Sequence, residues 1–280
     1  MFTDHDAPAT LPKMTRRVRW RRASRSRHGQ QNKLLKTVCS APVFAELAQD
    51  LAMKALSNSY VPALGYHWLT RFYDPIVRLT TRESTFKEAL LRQAGIEAGH
   101  RVLDLGCGTG TLATMVKRSH PSAEVFGLDA DPETLKLARA KMARAGLEMQ
   151  LDQGFASALP YAPASFDRAL SSLFFHHLSD KLKDQAMLEV RRVLRPGGEF
   201  HIADWGKPTS PAMRLAFVAI QMLDGFATTR DSLMGVLPEL LALAGFERVE
   251  LTRNYSTLFG TLSLYRARKP RTGEEKNRPL

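Results

Sequence analysis

The residues with the clearest chemical character lie in a glycine-rich loop that follows a short apolar run. The run from Val102 to Leu105 carries one acid, Asp104, and glycines follow at every second position from Gly106 to Gly110. Glycines at the end of a strand allow a tight turn and let a ligand lie against bare backbone. The spacing G-x-G-x-G differs from the dinucleotide fingerprint G-x-G-x-x-G. An acid beside the loop would also repel a pyrophosphate, so the pattern favours a ligand with a positive ammonium group.

A second acid, Asp129, ends the next apolar run, 23 residues after Gly106. A carboxylate at this place can accept hydrogen bonds from both ribose hydroxyls of a nucleoside, and each charge-assisted bond contributes roughly 1.5–3 kcal/mol. The alternative role for an acid here is to cap the helix that Pro132 begins. Asp131 fits that capping position better, which leaves Asp129 free for a ligand.

These acids need an open sheet to bring them together. The pattern predicts strands at residues 101–105, 123–129, 147–153, 166–173 and 199–204. Helices are predicted between them at about 110–119, 132–145 and 181–194, the last stopped by Pro196 and two glycines. Such alternation indicates βαβ units and a parallel sheet. Ligands bind these sheets at the carboxyl ends of the strands, which is where Asp104 and Asp129 lie.

The C-terminal part departs from this alternation. Helices are predicted over about 210–225 and 230–244, followed by strands at 246–253 and 256–268 that a short connection around Asn254 joins. So short a link forces antiparallel pairing, because a parallel crossover needs a dozen residues or more. A parallel sheet closed by an antiparallel hairpin is not the pure dehydrogenase pattern.

Four motifs in this order resemble the class I S-adenosylmethionine-dependent methyltransferases, nearest to the type 11 group that includes the ubiquinone- and menaquinone-biosynthesis methyltransferases. The resemblance covers about residues 60–268. The motifs are Val102 to Leu112, Gly127 to Asp131, Ala158 to Tyr161 with Ser165 to Asp167, and Val193 to Gly198. The resemblance implies an α/β, Rossmann-like fold with a seven-stranded, mostly parallel sheet and an antiparallel last strand. It also implies helices on both faces and an N-terminal helical lid.

S-adenosylmethionine is the cofactor that the resemblance implies. Asp104 and the glycine loop would hold its methionine moiety, Asp129 its ribose, and Ala130 would lie against its adenine. Ser171 and Ser172 would line the sulfonium side. The implied cofactor-binding residues are Tyr73, Asp104, Gly106, Cys107, Gly108, Gly110, Asp129, Ala130, Phe155, Ala156, Ser171 and Ser172.

Two of these positions leave alternatives open. The family often has Asp-Ala before the Leu-Pro motif, with the Asp bonding the adenine amino group, whereas this chain has Phe155 and Ala156. Phe155 could stack on adenine, or Asp152 could reach it instead. Tyr73 resembles a family tyrosine that closes over the donor, but it could equally pack in the core.

His176 and His177 are candidate catalytic residues, because histidine is the commonest general base and the pair follows a strand end. The alternative is a His-His-Leu turn before the next helix. No third or fourth ligand stands at a recognisable spacing, so no metal site is predicted.

Composition places the chain among globular proteins, since 44% of its 280 residues are hydrophobic and 24% charged. The net charge of +12 is concentrated at the ends: residues 1–36 carry ten Lys and Arg against two acids, and residues 266–280 carry six against two. We predict basic disordered tails at 1–39 and 269–280 and a methyltransferase domain at 40–268, with lid helices at 40–98 and a core at 99–268. Only two cysteines and no secretory signal favour a cytoplasmic protein.

The predicted function is methyl transfer from S-adenosylmethionine to a small acceptor by direct displacement. Apolar residues are frequent over 213–226, which suggests an apolar or lipid-like acceptor. The basic tails could touch anionic membranes, and no stable nucleic-acid partner is expected. The alternatives are a nicotinamide-dependent oxidoreductase and a non-catalytic nucleic-acid-binding protein that uses the basic N-terminal arm. The sequence leaves the acceptor and the oligomeric state open.

Overall fold

The computed structural model describes residues 83–271, except for the side chains of residues 223, 224, 227 and 228. Seven strands form one sheet within this range. They are β1 (Arg101–Leu105), β2 (Glu124–Asp129), β3 (Gln150–Gln153), β4 (Phe166–Ser172), β5 (Leu194–Trp205), β6 (Glu247–Thr257) and β7 (Gly260–Arg268). Their order across the sheet is β3-β2-β1-β4-β5-β7-β6.

Eight α-helices connect these strands in the described part of the chain. They are α1 (Glu83–Ala94), α2 (Thr111–Ser119), α3 (Pro132–Ala145), α4 (Asp180–Val193), α5 (Pro211–Ala216), α6 (Val218–Asp224), α7 (Phe226–Met234) and α8 (Leu237–Leu243). A single turn of 3-10 helix at Phe175–His177 precedes α4.

The pairing of the strands confirms the predicted sheet. Strands β1 to β5 pair in parallel, whereas β7 is antiparallel to both β5 and β6. The chain leaves β1 toward β2 and β3, then returns to β4 on the other side of β1. This reversal opens a crevice at the carboxyl ends of β1 and β4, where ligands bind in such sheets. Residues 40–82 of the lid predicted at 40–98 lie outside the described residues, as do the N-terminal tail and most of the C-terminal tail.

The alternation of side chains along β1 divides the core into two layers. Leu103 and Leu105 belong to one buried cluster together with Phe126 and Phe200. Val102 belongs to the other, on the side of α1 and α2. Successive side chains of a strand point to opposite faces, so Asp104 lies on the same face as Val102. The strand therefore carries its one acid toward the helix that follows the glycine loop.

Three predicted boundaries are wrong. Strand β5 begins at Leu194 and runs through Pro196 and the glycines, which were expected to lie outside it. The hairpin turn falls at residues 258–259 and not around Asn254, which pairs with Ser263. The two long helices predicted at 210–225 and 230–244 are four short ones. Gly235, in the left-handed region at φ 70°, ends α7.

Candidate functional site

Asp104 lies near the carboxyl end of β1, just before the glycine loop. Its side chain is buried, and its Oδ2 accepts a hydrogen bond from the Ala113 N–H at 2.9 Å. Gly110 is the N-cap of α2 and has no side chain to offer, so Asp104 supplies the acceptor for that first turn. Burial raises the carboxyl pKa to about 7, against the opposing charge of Lys87. This buried acid would be stabilised in its ionised form by a cation in the crevice.

The glycine loop makes a tight turn after Asp104. Its glycines have positive φ values, which residues with a side chain rarely adopt. Gly106, Gly108 and Gly110 have φ values of 68°, 54° and 74°. A Cβ on Gly110 would come within 3.2 Å of Ala138 on α3, whereas one on Gly108 would meet nothing within 4 Å. Gly108 therefore presents bare backbone to open space. Cys107 is buried, and its backbone N–H donates to the Leu128 carbonyl.

Asp129 ties this loop to the end of β2. Its Oδ2 accepts from the Gly108 N–H at 2.8 Å, and its Oδ1 accepts from the Asp131 N–H at 3.0 Å. Burial raises its carboxyl pKa above the ordinary value, while these backbone hydrogen bonds oppose that shift. Asp131 caps α3, since its side chain accepts from the backbone of Glu133 and Thr134. The prediction that Asp131 is the cap is therefore confirmed.

A cavity opens beside Asp129 between the glycine loop and the segment after β4. Its lining is mostly apolar, and Asp129 and Ser157 are the polar side chains in it. The described lining residues are Gly106, Leu128, Asp129, Ala130, Gly154, Phe155, Ala156, Ser157, Phe174, Leu178 and Leu182. Apolar walls with a few placed polar groups are typical of sites for small molecules and cofactors.

The structure separates the two candidates for the adenine contact. Phe155 and Ala156 both line the cavity. Asp152 instead accepts hydrogen bonds from the Tyr161 hydroxyl at 2.9 Å and from the Gln150 side-chain amide. Those contacts hold Asp152 on β3, away from the described lining.

The two serines predicted to line the sulfonium side are placed differently. Ser171 is fully buried, and its hydroxyl donates to the Leu105 carbonyl at 3.0 Å. That bond fastens β4 to β1 and directs the hydroxyl into the sheet. Ser172 is half-buried at the end of β4. Neither belongs to the cavity lining that the structure describes.

His176 is buried against Asp204, with 2.6 Å between its Nδ1 and the Asp204 Oδ1. Asp204 also accepts from the backbone N–H groups of Phe174, Phe175 and Trp205. Burial would raise the Asp204 pKa, but His176 and these donors hold it below its ordinary value. The His176 ring is therefore held inside a buried network.

His177 packs on this network, and its ring centroid is 4.0 Å from that of His176. Burial, together with the neighbouring His176, lowers the pKa of His177 to about 3. The ring is therefore neutral at physiological pH.

Sequence reasoning missed Phe174 and Asp204. A Cβ on Gly106 would lie 2.3 Å from the Phe174 ring, so this ring rests directly on the glycine. The preceding Leu173 has φ 52°, in the left-handed region. Leucine rarely adopts this conformation, so the sequence does not predict it. Asp204 could have been found by the rule that singled out Asp104 and Asp129, because it too is an acid at the carboxyl end of a parallel strand.

The remaining predicted residue, Tyr73, lies outside the described residues. Residues 83–271 contain no group of three or more His, Cys, Asp or Glu side chains placed to share a metal ion. No helix in that same range is long and apolar enough to cross a membrane.

A family model described as a methyltransferase domain matches residues 102–198, from β1 into β5. This range contains the glycine loop, Asp129, Phe155 and the histidine pair.

Curated relatives extend the similarity further. "Methyltransferase GfsG" from Streptomyces halstedii is 37% identical over 185 residues, which cover 64% of this chain and 63% of the relative. "Demethylmenaquinone methyltransferase" from Lactobacillus johnsonii is 35% identical over 52% of this chain and 61% of its own. "Uncharacterized methyltransferase sll0829" from Synechocystis is 30% identical over 74% of this chain and 94% of its own. The chain thus spans under two-thirds of the first two relatives and nearly all of the third.

Solved structures share the fold. A SAM-dependent methyltransferase from Aquifex aeolicus superposes with a TM-score of 0.50 at 20% identity, over 65% of this chain and 89% of its own. The 4+2 cyclase SpnF superposes with a TM-score of 0.52 at 20% identity, over 67% and 81%. At 20% sequence identity these similarities show a shared fold and no more.

Proposed function

Because this chain belongs to the class I S-adenosylmethionine-dependent methyltransferases, we propose that it transfers a methyl group from S-adenosylmethionine to a small, apolar or lipid-like acceptor by direct displacement. One observation carries the proposal. Asp104, the glycine loop and Asp129 lie together at the carboxyl ends of adjacent strands, where Gly106 and Asp129 line one largely apolar cavity and Asp104 is buried outside the described lining. The nicotinamide alternative is not favoured, since the loop lacks the dinucleotide spacing.

The residues present suit this donor. Asp104 is a buried acid that an ammonium group would stabilise. Asp129 lines the cavity, where its carboxylate would accept hydrogen bonds from the ribose hydroxyls. Gly108 leaves open space where a side chain would otherwise stand. The orphaned Ser157 Oγ, which is buried without a hydrogen-bond partner, also suits a polar ligand. When bound, S-adenosylmethionine supplies a methyl group already activated on a positively charged sulfonium.

The protein then has mainly to align the reactants, and alignment can supply roughly 7–11 kcal/mol of the barrier. Three apolar side chains line the cavity and would exclude water around a bound donor: Phe174, which contacts Gly106, and Leu178 and Leu182. A general base is needed only when the acceptor must lose a proton.

Of the two histidines, we assign the proton-accepting role, where the acceptor requires one, to the neutral His177. A pKa of about 3 makes it a weak base, so we expect its contribution to be small. His176 would act through position, by holding the segment after β4 on Asp204.

Two observations support an apolar acceptor. The segment after β5 exposes Leu215, Met222, Phe226 and Met234, which are 60–75% accessible. It follows the carboxyl end of β5 and therefore starts at the same edge as the crevice. One relative bears a name that includes demethylmenaquinone. An apolar surface beside the donor site is what a hydrophobic acceptor would require.

The test is transfer of an isotopically labelled methyl group. The full chain is incubated with labelled S-adenosylmethionine and, separately, with reduced naphthoquinones, simple phenols, a total lipid extract and total RNA. We expect label in the organic phase for the quinol or lipid arms and none with Asp129→Ala. Label only in RNA, or a protein that binds the donor product but labels no acceptor in any arm, would contradict the proposal.

A further inference from the structure

Ser157 contributes an unusual feature to the cavity. Its Oγ atom is buried and has no hydrogen-bond partner, yet the residue lines the cavity beside Phe155 and Ala156. A buried hydroxyl without a hydrogen-bond partner destabilises the folded protein. Because the same residue lines the cavity, a polar group of a bound ligand could supply the missing partner.

Among the described lining residues, Ser157 has the side chain that can form a hydrogen bond with the polar edge of a ligand. Apart from Asp129 and Ser157, the described lining residues carry no polar side chain. The Asp129 carboxylate holds the backbone of Gly108 and Asp131 and, in the proposed function, the ribose. Asp152 is held by Tyr161 and Gln150 on β3.

Resting on the proposed function, we infer that Ser157 Oγ is the side-chain contact to the Watson–Crick edge of the donor's purine, with Phe155 against its ring. The ribose of a bound nucleoside would lie at Asp129, so the base lies toward the part of the wall formed by Ala130, Phe155 and Ser157. A purine edge carries hydrogen-bonding atoms, and a hydroxyl can both donate and accept.

A hydroxyl at Ser157 would make the site tolerant of different purines. A carboxylate at such a place can only accept, so it prefers the 6-amino group of adenine and repels the 6-oxo group of hypoxanthine. The Ser157 hydroxyl can accept from the adenine amino group or donate to the hypoxanthine oxygen. The site should therefore discriminate weakly between the two purines.

The experiment is calorimetric titration of the full chain with S-adenosylhomocysteine and with S-inosylhomocysteine. The variants are Ser157→Ala and Ser157→Asp, and Ser122→Ala is the matched control because Ser122 is exposed before β2. We expect the wild type to bind the two ligands within about fivefold of each other. Ser157→Ala should weaken both by about three- to tenfold, and Ser157→Asp should favour the adenosyl ligand by more than about tenfold. Ser122→Ala should match the wild type.

Binding of both ligands by Ser157→Ala as tightly as by the wild type would overturn the assignment of Ser157 while leaving the donor site intact. Rejection of the inosyl ligand by the wild type by more than about fiftyfold would overturn it as well. A folded wild type that binds neither ligand would overturn the proposed function itself, and this inference with it.

Discussion

The buried carboxylate of Asp104 suits a cationic ligand but lowers the stability of the ligand-free protein. Its carboxylate is buried between β1 and α2, and burial raises its pKa to about 7. The unfolded chain loses this proton near pH 3.8, whereas the folded chain keeps it until about pH 7. Ionising Asp104 therefore destabilises the ligand-free protein across that interval. A bound ammonium group would remove the penalty.

Asp104→Asn should consequently raise the stability of the ligand-free protein at pH 8. The amide oxygen can still accept from the Ala113 N–H, and the buried charge is gone. We expect a gain on the order of 2 kcal/mol, or a few degrees in Tm, which shrinks as pH falls toward 5. Thermal melts of both proteins at pH 5 and pH 8 measure it. A variant less stable than the wild type at pH 8 would show that the Asp104 charge stabilises the fold.

The same ionisation should appear in ligand binding. A cationic donor binds the ionised form of Asp104, so affinity should increase as pH rises from about 6 to 8 and level off above the pKa of about 7. Titrations with S-adenosylhomocysteine at pH 6, 7 and 8 follow this, with Asp104→Asn as the control that should lose both affinity and pH dependence. A wild-type affinity that is flat with pH would exclude Asp104 as the titrating group.

At the residue scale, sequence patterns located acids at strand ends but not the direction of every side chain. Asp104 and Asp129 could be predicted because each lies at or near the end of an apolar run. Ser171 also ends a strand, yet its hydroxyl donates within the sheet to Leu105. The roles of Ser157 and Phe174 depend on tertiary contacts, which no local pattern carries.

At the scale of elements, the segment after β4 depends on Asp204 at the end of β5. The Asp204 carboxylate accepts from Phe174 N–H at 3.1 Å, from Phe175 N–H at 2.7 Å and contacts the His176 ring at 2.6 Å. These bonds hold Leu173 in its left-handed conformation and Phe174 on Gly106. The network thus fixes one wall of the cavity.

Removing His176 should loosen this wall. His176→Ala leaves a buried carboxylate without its ring partner, and breaking such a pair costs roughly 3–5 kcal/mol. We expect a Tm lower by about 6–12 °C, while His176→Asn should recover part of the loss. If His176 were instead the proton acceptor, His176→Asn would recover part of the stability but none of the turnover, whereas a positioning role predicts that both recover together.

The elements themselves were largely predictable, and the errors have physical causes. The strand and helix order from β1 to α4 follows from apolar periodicity. Asn254 looked like a turn because β6 is an edge strand with mostly exposed side chains, but its Oδ1 accepts from Ser263 across the hairpin. The glycines after Pro196 serve a bulge at the start of β5, where a Cβ on Gly198 would lie 2.9 Å from the Arg195 carbonyl.

At the scale of the whole molecule, charge is distributed unevenly. Residues 37–265 carry equal numbers of acidic and basic side chains, so the excess of +12 belongs to the two ends of the chain. Charge on the ends, together with the exposed apolar residues of α5 to α7, suggests approach to an anionic membrane that holds the acceptor.

Deleting residues 1–36 should therefore weaken binding to vesicles of phosphatidylserine and phosphatidylcholine. The deletion removes a net charge of +8, and each basic residue near such a surface contributes about 1 kcal/mol. Sedimentation with these vesicles at low and at physiological salt measures the effect, with vesicles of phosphatidylcholine alone as the control. Equal sedimentation of both proteins would rule out the N-terminal arm as the membrane contact.

We propose that the methyl donor binds in the crevice beside the glycine loop and Asp129, with Asp104 buried below the loop. Calorimetric titration with S-adenosylhomocysteine tests it most directly, with Asp129→Ala as the variant and Asp129→Asn as its closer match. We predict micromolar binding by the wild type and a loss of at least about tenfold in Asp129→Ala, because charge-assisted hydrogen bonds are lost. A well-folded wild type that shows no binding would rule out a donor site in this crevice.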